Sequence, residues 1–331
     1  MNWRSRSSLR QCASAVLMVA PDEIGFNTET GVDNHFQSAT DEPAAALRAR
    51  AIQQFHALVA ALQGEGVDVV VMPPAARKRV PTPDATFVNN WISCDHLGTV
   101  WTWPLRARNR RAERRPRAAE QALEAAGYRV VRHVNLGPLC SRRVIVEGTG
   151  SLVFDHLHRR VFAALSARCH KAALSRAARE LGYRPLSFAT DDGAGRSIYH
   201  TNVMLSIGEA LAVVCLDAVC DEGARQLLAA ALRRHHEVLS LRREQLATFS
   251  GNILQLAGGG GRRLWAMSQA AHDGFSADQR AVLARHGRLV AVDISAIEGV
   301  GGGSVRCMLA EVFLPRRRAV PLRAHDALPA R

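Results

Sequence analysis

Aromatic residues make up only 5% of the 331 residues, and lysine is nearly missing, standing at 78 and 171 alone. With so few aromatics, no stacking platform is interleaved with the basic residues, which argues against a single-stranded nucleic acid partner. Arginine therefore carries almost all of the net charge of +13, and it does so along the whole chain. Its densest group, Arg106 to Arg117, has the charge to contact phosphates but reads first as a solvated basic face. No apolar run approaches the roughly twenty residues of a membrane span. Gly258–Gly261 lacks the Gly-Lys-Ser/Thr ending of a phosphate loop and reads as a hairpin connection. The seven cysteines, at 12, 94, 140, 169, 215, 220 and 307, are odd in number and include no Cys-x-x-Cys pair. That is the usage of a reduced, cytoplasmic protein.

Hydrophobic residues reach 47%, enough for a large core. Arginines at 4, 6 and 10 before the apolar run 13–20 imitate a secretory signal, but the run is short and leads into Pro21-Asp22. It is expected to be the first core strand. After a polar loop to Gln37, Asp41-Glu-Pro opens a helix in which Ala46, Leu47, Ile52, Phe55, Leu58, Val59 and Leu62 recur at helical spacing, ended by Gly64 and Gly66. Val67–Met72 follows as a largely buried strand. Helix then strand recurs at 118–126 to 128–134, 171–181 to 185–189, 222–234 to 237–241 and 276–286 to 288–292, with further strands at 144–146, 151–154, 203–207 and 211–216. Five such units predict an α/β fold in one domain, 13–315. An N-terminal extension, 1–12, precedes it, and a basic, disordered tail, 316–331, follows.

Chemistry gathers in four stretches. Four glycines between 299 and 303 deliver Cys307 to the start of an apolar segment. If Ser304 or Val305 opens a short helix, its N-terminus and Arg306 would favour the thiolate; the alternative is a turn leading a small buried cysteine into the core. Pro83–Trp91 is strand-like but holds Asp84, Asn89 and Asn90. Val144–Phe154 places Glu147 between apolar runs, where its carboxylate is costly to bury unpartnered. Ser197–Leu205 carries His200. Each alone also fits a polar turn or a core histidine, but a thiol, an imidazole and a carboxylate together are the equipment for covalent catalysis at an electrophilic carbon. Asp155-His-Leu-His158 and His235-His236 each fall short of a metal-ligand set and read as exposed turn and helix surface.

The set Pro83-Asp-Ala-Thr-Phe-Val-Asn-Asn-Trp91, Asn109-Arg-Arg-Ala-Glu-Arg-Arg115, Glu147-Gly-Thr-Gly-Ser-Leu-Val-Phe-Asp155, Tyr199-His-Thr-Asn-Val-Met204, Gly251-Asn-Ile-Leu254 and Gly301-Gly-Gly-Ser-Val-Arg-Cys-Met308 resembles the citrulline-utilisation hydrolases. These belong to the pentein superfamily, with arginine deiminases, dimethylarginine hydrolases and amidinotransferases. The resemblance runs from about Ala13 to Pro315 and implies a five-bladed, pseudo-symmetric α/β propeller with the site at its centre. It implies Cys307 as nucleophile, His200 as general acid and base, Glu147 as the carboxylate that fixes the ureido nitrogens of the substrate, and Arg168 as the arginine that takes the substrate carboxylate. Cys169 stands where a threonine is usual, Ala20 where arginine is frequent, and Ser93-Cys-Asp-His-Leu-Gly98 departs from the family's Ser-Thr-His-x-Asp-Gly.

Relatives that bind the guanidinium cation often use Glu-Asp where this chain has Asn89-Asn90, and deiminases place an aspartate where Asn202 stands. Amides in place of carboxylates suit a neutral ureido group, to which they both donate and accept. The expected substrate-binding residues are Asp84, Asn89, Asn90, Arg168 and Asn202. The expected activity is metal-independent hydrolysis of citrulline to ornithine, ammonia and carbon dioxide. It involves a small-molecule substrate, no cofactor, no membrane and no specific nucleic acid, with homo-oligomerisation open. The alternatives are an arginine or methylarginine hydrolase or amidinotransferase of the same superfamily, or a non-catalytic, arginine-rich binding protein.

Overall fold

The computed structural model describes residues 9–75, 80–141 and 143–317. Its strands are β1 Ala15–Val19, β2 Asp68–Met72, β3 Ile92–Cys94, β4 Thr99–Thr102, β5 Arg132–Asn135, β6 Val153–Asp155, β7 Arg160–Leu165, β8 Arg184–Ala189, β9 Leu205–Ile207, β10 Leu211–Val214, β11 Glu237–Ser240, β12 Leu254–Ala257, β13 Arg263–Ser268, β14 Arg288–Val292 and β15 Ala310–Glu311. They form five three-stranded sheets on one plan. A short strand pairs antiparallel with a central strand, and a helix then carries the chain to a third strand parallel to the centre. The connecting helices are Ala44–Gly64, Pro116–Ala125, Lys171–Leu181, Glu222–Arg233 and Ala277–His286.

The first helix shows why the plan forms. Leu47, Ala51, Phe55, Leu58 and Leu62 make one buried stripe that covers the sheet, as an amphipathic crossover must. Gly66, at φ 78°, turns the chain into β2, which pairs with β1 in register from Ala15↔Asp68 to Val19↔Met72. β15 closes the other edge of β1 through Val16↔Glu311 and Leu17↔Ala310. The first sheet therefore joins the two ends of the described chain, and the five repeats make the pseudo-symmetric pentein fold.

Several segments depart from the sequence expectation. The strand expected from 128 begins only at Arg132, because Tyr128 instead bridges Arg316 near the end of the described chain. Val144–Val146 makes a single bridge, Val146 to Cys169, and no strand. Pro83–Trp91 is a set of turns ending in the 3₁₀ turn Val88–Asn90, so its polar residues serve a turn and not a ladder. Gln11 and Cys12, placed before the domain, are buried, and Gln11 Nε2 donates to the carbonyls of Phe154 and Ile207. Of the expected tail, Arg316 and Arg317 are described, Arg316 pairing with Asp68; the remainder lies outside the described residues. No helix among the described residues is long and apolar enough to cross a membrane.

Candidate active site

The residues just before the short first strand of each sheet form a turn. These turns are Val88–Asn90 before β3, Gly148–Ser151 before β6, Thr201–Val203 before β9, the turn through Gly251 before β12, and Val305–Met308 before β15. Hydrogen bonds link the five in a closed circuit. Thr149 Oγ1 donates to Asn89 O (3.2 Å), Thr201 Oγ1 to Ser151 O (2.6 Å) and Asn252 Nδ2 to Asn202 O (2.8 Å). Asn252 Nδ2 also faces Cys307 Sγ at 3.3 Å, and Asn89 Nδ2 donates to Arg306 O at 3.3 Å. Pseudo-symmetry thus brings one turn from each repeat to a common centre. Two glycines let the turns meet: Gly148 holds φ 39°, where a Cβ would lie 2.5 Å from Asn89 O and 2.6 Å from Asn90 O, and any side chain on Gly150 would strike Asn90 and His200.

Glu147 and His200 stand at the N-caps of two of these turns and touch directly. His200 Nε2 donates to Glu147 Oε2 at 2.9 Å, and the other carboxylate oxygen accepts from the Arg106 amide at 2.7 Å. Burial would raise the Glu147 carboxyl, but the His200 hydrogen bond and the Arg168 and Arg110 charges outweigh it and hold it at about 2. Burial also lowers His200 to about 4, more than Glu147 raises it. At neutral pH the imidazole is therefore neutral, with Nε2–H on the carboxylate and a lone pair on Nδ1.

Cys307 makes its hydrogen bonds with Asn252 and Asn202, whose Nδ2 atoms lie 3.3 and 3.5 Å from the sulfur; it makes none with His200. A short helix does start at Val305, as expected, yet it does not yield a thiolate. Burial pushes the thiol up, against the pull of the Ser304 backbone, the two amides and Arg306. The helix has only four residues, and the Arg306 guanidinium is engaged by Leu309 O and Glu311.

Arg110 corrects the reading of 106–117 as a solvated face. It is 2% exposed, pairs with Glu113 at 3.0 Å, and donates from Nη1 to Asn90 Oδ1 at 2.7 Å. A guanidinium only donates, so this bond fixes the Asn90 amide with its oxygen toward Arg110 and its nitrogen away. That nitrogen, Asn89 Oδ1 and Asp84 Oδ1 are all buried without a hydrogen-bond partner. Asp84 uses its other oxygen to accept from Asn27 (2.7 Å) and Thr30 (2.9 Å). Arg168 is not free either. It pairs with Asp33, donates to Thr30 O at 3.2 Å, and reaches within 3.9 Å of Glu147. Asp33, Arg106 and Arg168 line a cleft of about 640 Å³ with Glu29, Arg108 and Arg111.

Residues that sequence reasoning did not assign to the site are Asn252, Arg110, Asn27 and Asp33. Asn252 had a usable signal, for it stands two residues before β12 as Asn90 stands two before β3. Asp33 had none, since its role depends on a contact with Arg168 across 135 positions.

Comparisons with known proteins agree with this architecture. The family profile described as "N,N dimethylarginine dimethylhydrolase, eukaryotic" matches residues 20–314. No curated protein matches the chain by sequence alone. Among solved structures it is similar to ArgZ, an arginine dihydrolase from the ornithine-ammonia cycle in cyanobacteria, at 16% identity and TM-score 0.68, covering 91% of this chain and 41% of that one. The chain thus spans about two fifths of full-length ArgZ. The N-terminal domain of an ArgZ variant, covalently bound to a reaction intermediate, is similar at 17% identity and TM-score 0.66, with 91% and 99% covered. SxtG, an amidinotransferase from Microseira wollei, is similar at 12% identity and TM-score 0.61, with 94% and 97% covered. With the profile covering nearly all of the repeated core, the chain belongs to the N,N-dimethylarginine dimethylhydrolase family, within the pentein superfamily of guanidine-modifying enzymes.

Proposed function

We propose that the protein is a cysteine-dependent hydrolase of a ureido or guanidino carbon–nitrogen bond, with citrulline as the substrate that best fits the site. The observation that carries the ureido choice is the orientation of Asn90. Arg110 holds its oxygen, which leaves a buried amide nitrogen without an acceptor. A guanidinium presents only donors and would leave that N–H facing another donor, whereas a ureido oxygen accepts from it. Asn89 Oδ1 and Asp84 Oδ1, also unpartnered, then receive the ureido N–H groups. In the cleft, which Arg168 links to Glu147, the arginines at 106 and 168 take an α-carboxylate in exchange for part of their pairing with Asp33, and Asp33 and Glu29 take an ammonium.

Cys307 attacks the ureido carbon, its proton passing to the free Nδ1 of His200. His200 returns it to the departing amine of ornithine and leaves an S-carbamoyl adduct. Water activated by His200 hydrolyses the adduct to carbamate, which falls apart to ammonia and carbon dioxide. Glu147 serves as a positioning residue, because both of its oxygens already hold neighbours: one takes the His200 ring and the other the Arg106 backbone.

Arginine or a methylated arginine is the second reading. It is favoured by the free Asp84 oxygen, which suits a cation, and by the similarity to ArgZ, an arginine dihydrolase. Incubation with citrulline, arginine and dimethylarginine in turn, with ornithine, citrulline, urea and ammonia assayed beside a Cys307→Ser control, tests both. Ornithine from citrulline is expected; a clear preference for arginine overturns the ureido choice. No turnover together with strongly salt-dependent nucleic acid binding returns the protein to a binding role.

A further inference from the structure

Two histidine motifs, each incomplete in sequence, meet in the fold. Asp155 ends β6 and His158 lies in the turn that follows it, while His236 stands between helix Glu222–Arg233 and β11 of another sheet. One ligand atom from each of the three lies within 4.8 Å of the others. Neither Asp155, 2% exposed, nor His236, 7% exposed, is the surface residue that its sequence suggests.

The protons decide what this cluster is for. His236 Nδ1 faces the Leu232 carbonyl at 3.3 Å, which only accepts, so Nδ1 carries the hydrogen and Nε2 presents a lone pair. That Nε2 has no hydrogen-bond partner and lies 4.0 Å from Asp155 Oδ2. Two buried acceptors therefore face each other across a gap too long for a hydrogen bond, an arrangement that a cation between them relieves. On the other side, His158 Nδ1 contacts both Asp155 oxygens, at 2.9 and 3.0 Å. The His158 ring is held by stacking on His235, with centroids 3.6 Å apart and planes at 7°. Asp155 also accepts from the His158 backbone, and holding that turn would be its whole role if the cluster were merely structural. Such a role leaves the orphaned Nε2 of His236 unexplained.

We propose that Asp155, His158 and His236 bind a zinc-type divalent ion through a carboxylate oxygen, Nδ1 and Nε2, with water as the fourth ligand. Two imidazoles and a carboxylate are a zinc donor set, and the Leu232 carbonyl behind His236 is the outer partner that ligating histidines have. Tetrahedral ligands about 2.1 Å from the ion lie about 3.4 Å apart, so the cluster contracts on binding. His158, only partly buried, supplies that movement, its ring hydrogen shifting from Nδ1 to Nε2. The ion would clip the β6–β7 turn to the segment entering β11, at the opposite end of β6 from the turn Gly148–Ser151.

The test uses the full chain in a Cys307→Ser background, stripped with a chelator and given Zn²⁺ or Co²⁺. One equivalent of metal is expected to survive gel filtration and to raise Tm, with Co²⁺ showing d–d bands and no thiolate-to-cobalt charge transfer. His236→Gln and His158→Asn should each weaken binding at least tenfold; the second, on a partly exposed residue, decides the matter if the first fails to fold. Equal retention by the parent and both variants, no retention at all, or a thiolate charge-transfer band on bound Co²⁺ would overturn the proposal.

Discussion

Substituting Gly150 with alanine perturbs the proposed chemistry with one methyl group and no change of charge. A Cβ built on Gly150 lies 2.1 Å from Asn90 Nδ2, 2.8 Å from His200 Nδ1 and 2.9 Å from His200 Cε1. Ordinary contact begins near 3.4 Å, so the amide must recede by more than 1 Å and the imidazole by about 0.6 Å. Asn90 is tied to Arg110 and His200 to Glu147, so neither moves without lengthening a buried hydrogen bond. Misplacement of about 1 Å costs on the order of 100-fold in rate, and overpacking of a tight interior costs about 1–3 kcal/mol. Steady-state turnover of citrulline and arginine, with urea unfolding in parallel, separates the two effects. We expect kcat to fall about 100-fold in a variant that remains folded. A Gly150→Ala enzyme that is folded and retains activity within about threefold of the parent would refute the claim that Asn90 and His200 must hold these positions.

Glu147→Gln removes the anion beneath His200 with almost no change of shape. Turnover should fall by about 10²–10⁴, the usual worth of a positioned acid–base group, while urea unfolding at pH 7 should show a loss of about 3 kcal/mol, because a carboxyl held at about 2 favours the folded state above its unfolded pKa. Stability should drop on acidification in two stages. His200 and His156, lowered by burial to about 4 and about 3, are bare in the folded state but take protons on unfolding below pH about 6.5. Each should therefore cost about 2 kcal/mol between pH 7 and 5, and Glu147 adds its loss only below about 4.5. Because His96, lowered by burial to about 4, acts in the same direction and Glu113, raised by burial to about 8, in the opposite one, the check is the difference from His200→Gln and His156→Gln variants. Their urea midpoints should fall less than the parent's from pH 7 to 5, and an unchanged slope would contradict this. Asn252→Ala removes an amide N–H from Cys307, and a bond to a charged group is worth about 1.5–3 kcal/mol. Alkylation of Cys307 at pH 7, followed by peptide mass spectrometry, should slow by about one to two orders of magnitude.

The helices and the parallel strand that each leads into were legible because each is a local matter of period and punctuation, whereas the central strands β4, β7 and β13 were not read from the sequence. The stripe from Leu47 to Leu62 and the glycine at 182, with φ 75°, speak within a few residues of themselves. The thiol, the imidazole and the carboxylate were also legible as types, since Cys307, His200 and Glu147 sit where apolar sequence makes a polar side chain costly. Their relations were not. A fivefold repeat whose units share no residues hides the rule that each repeat offers the turn before its first strand, and only the closed circuit of those turns shows that Asn252 belongs with Cys307. Burial decided the rest. Arg110 looks like its exposed neighbours until Asn90 and Glu113 close around it. The Cys307 thiol goes up and not down because loss of water outweighs the helix end and Arg306, and His236 turns from surface residue to candidate ligand because a separate sheet brings Asp155 against it. Local pattern specifies which groups the chain carries; which of them lose water, and against which partner, depends on contacts between residues far apart in sequence, and charge and proton affinity follow from those contacts.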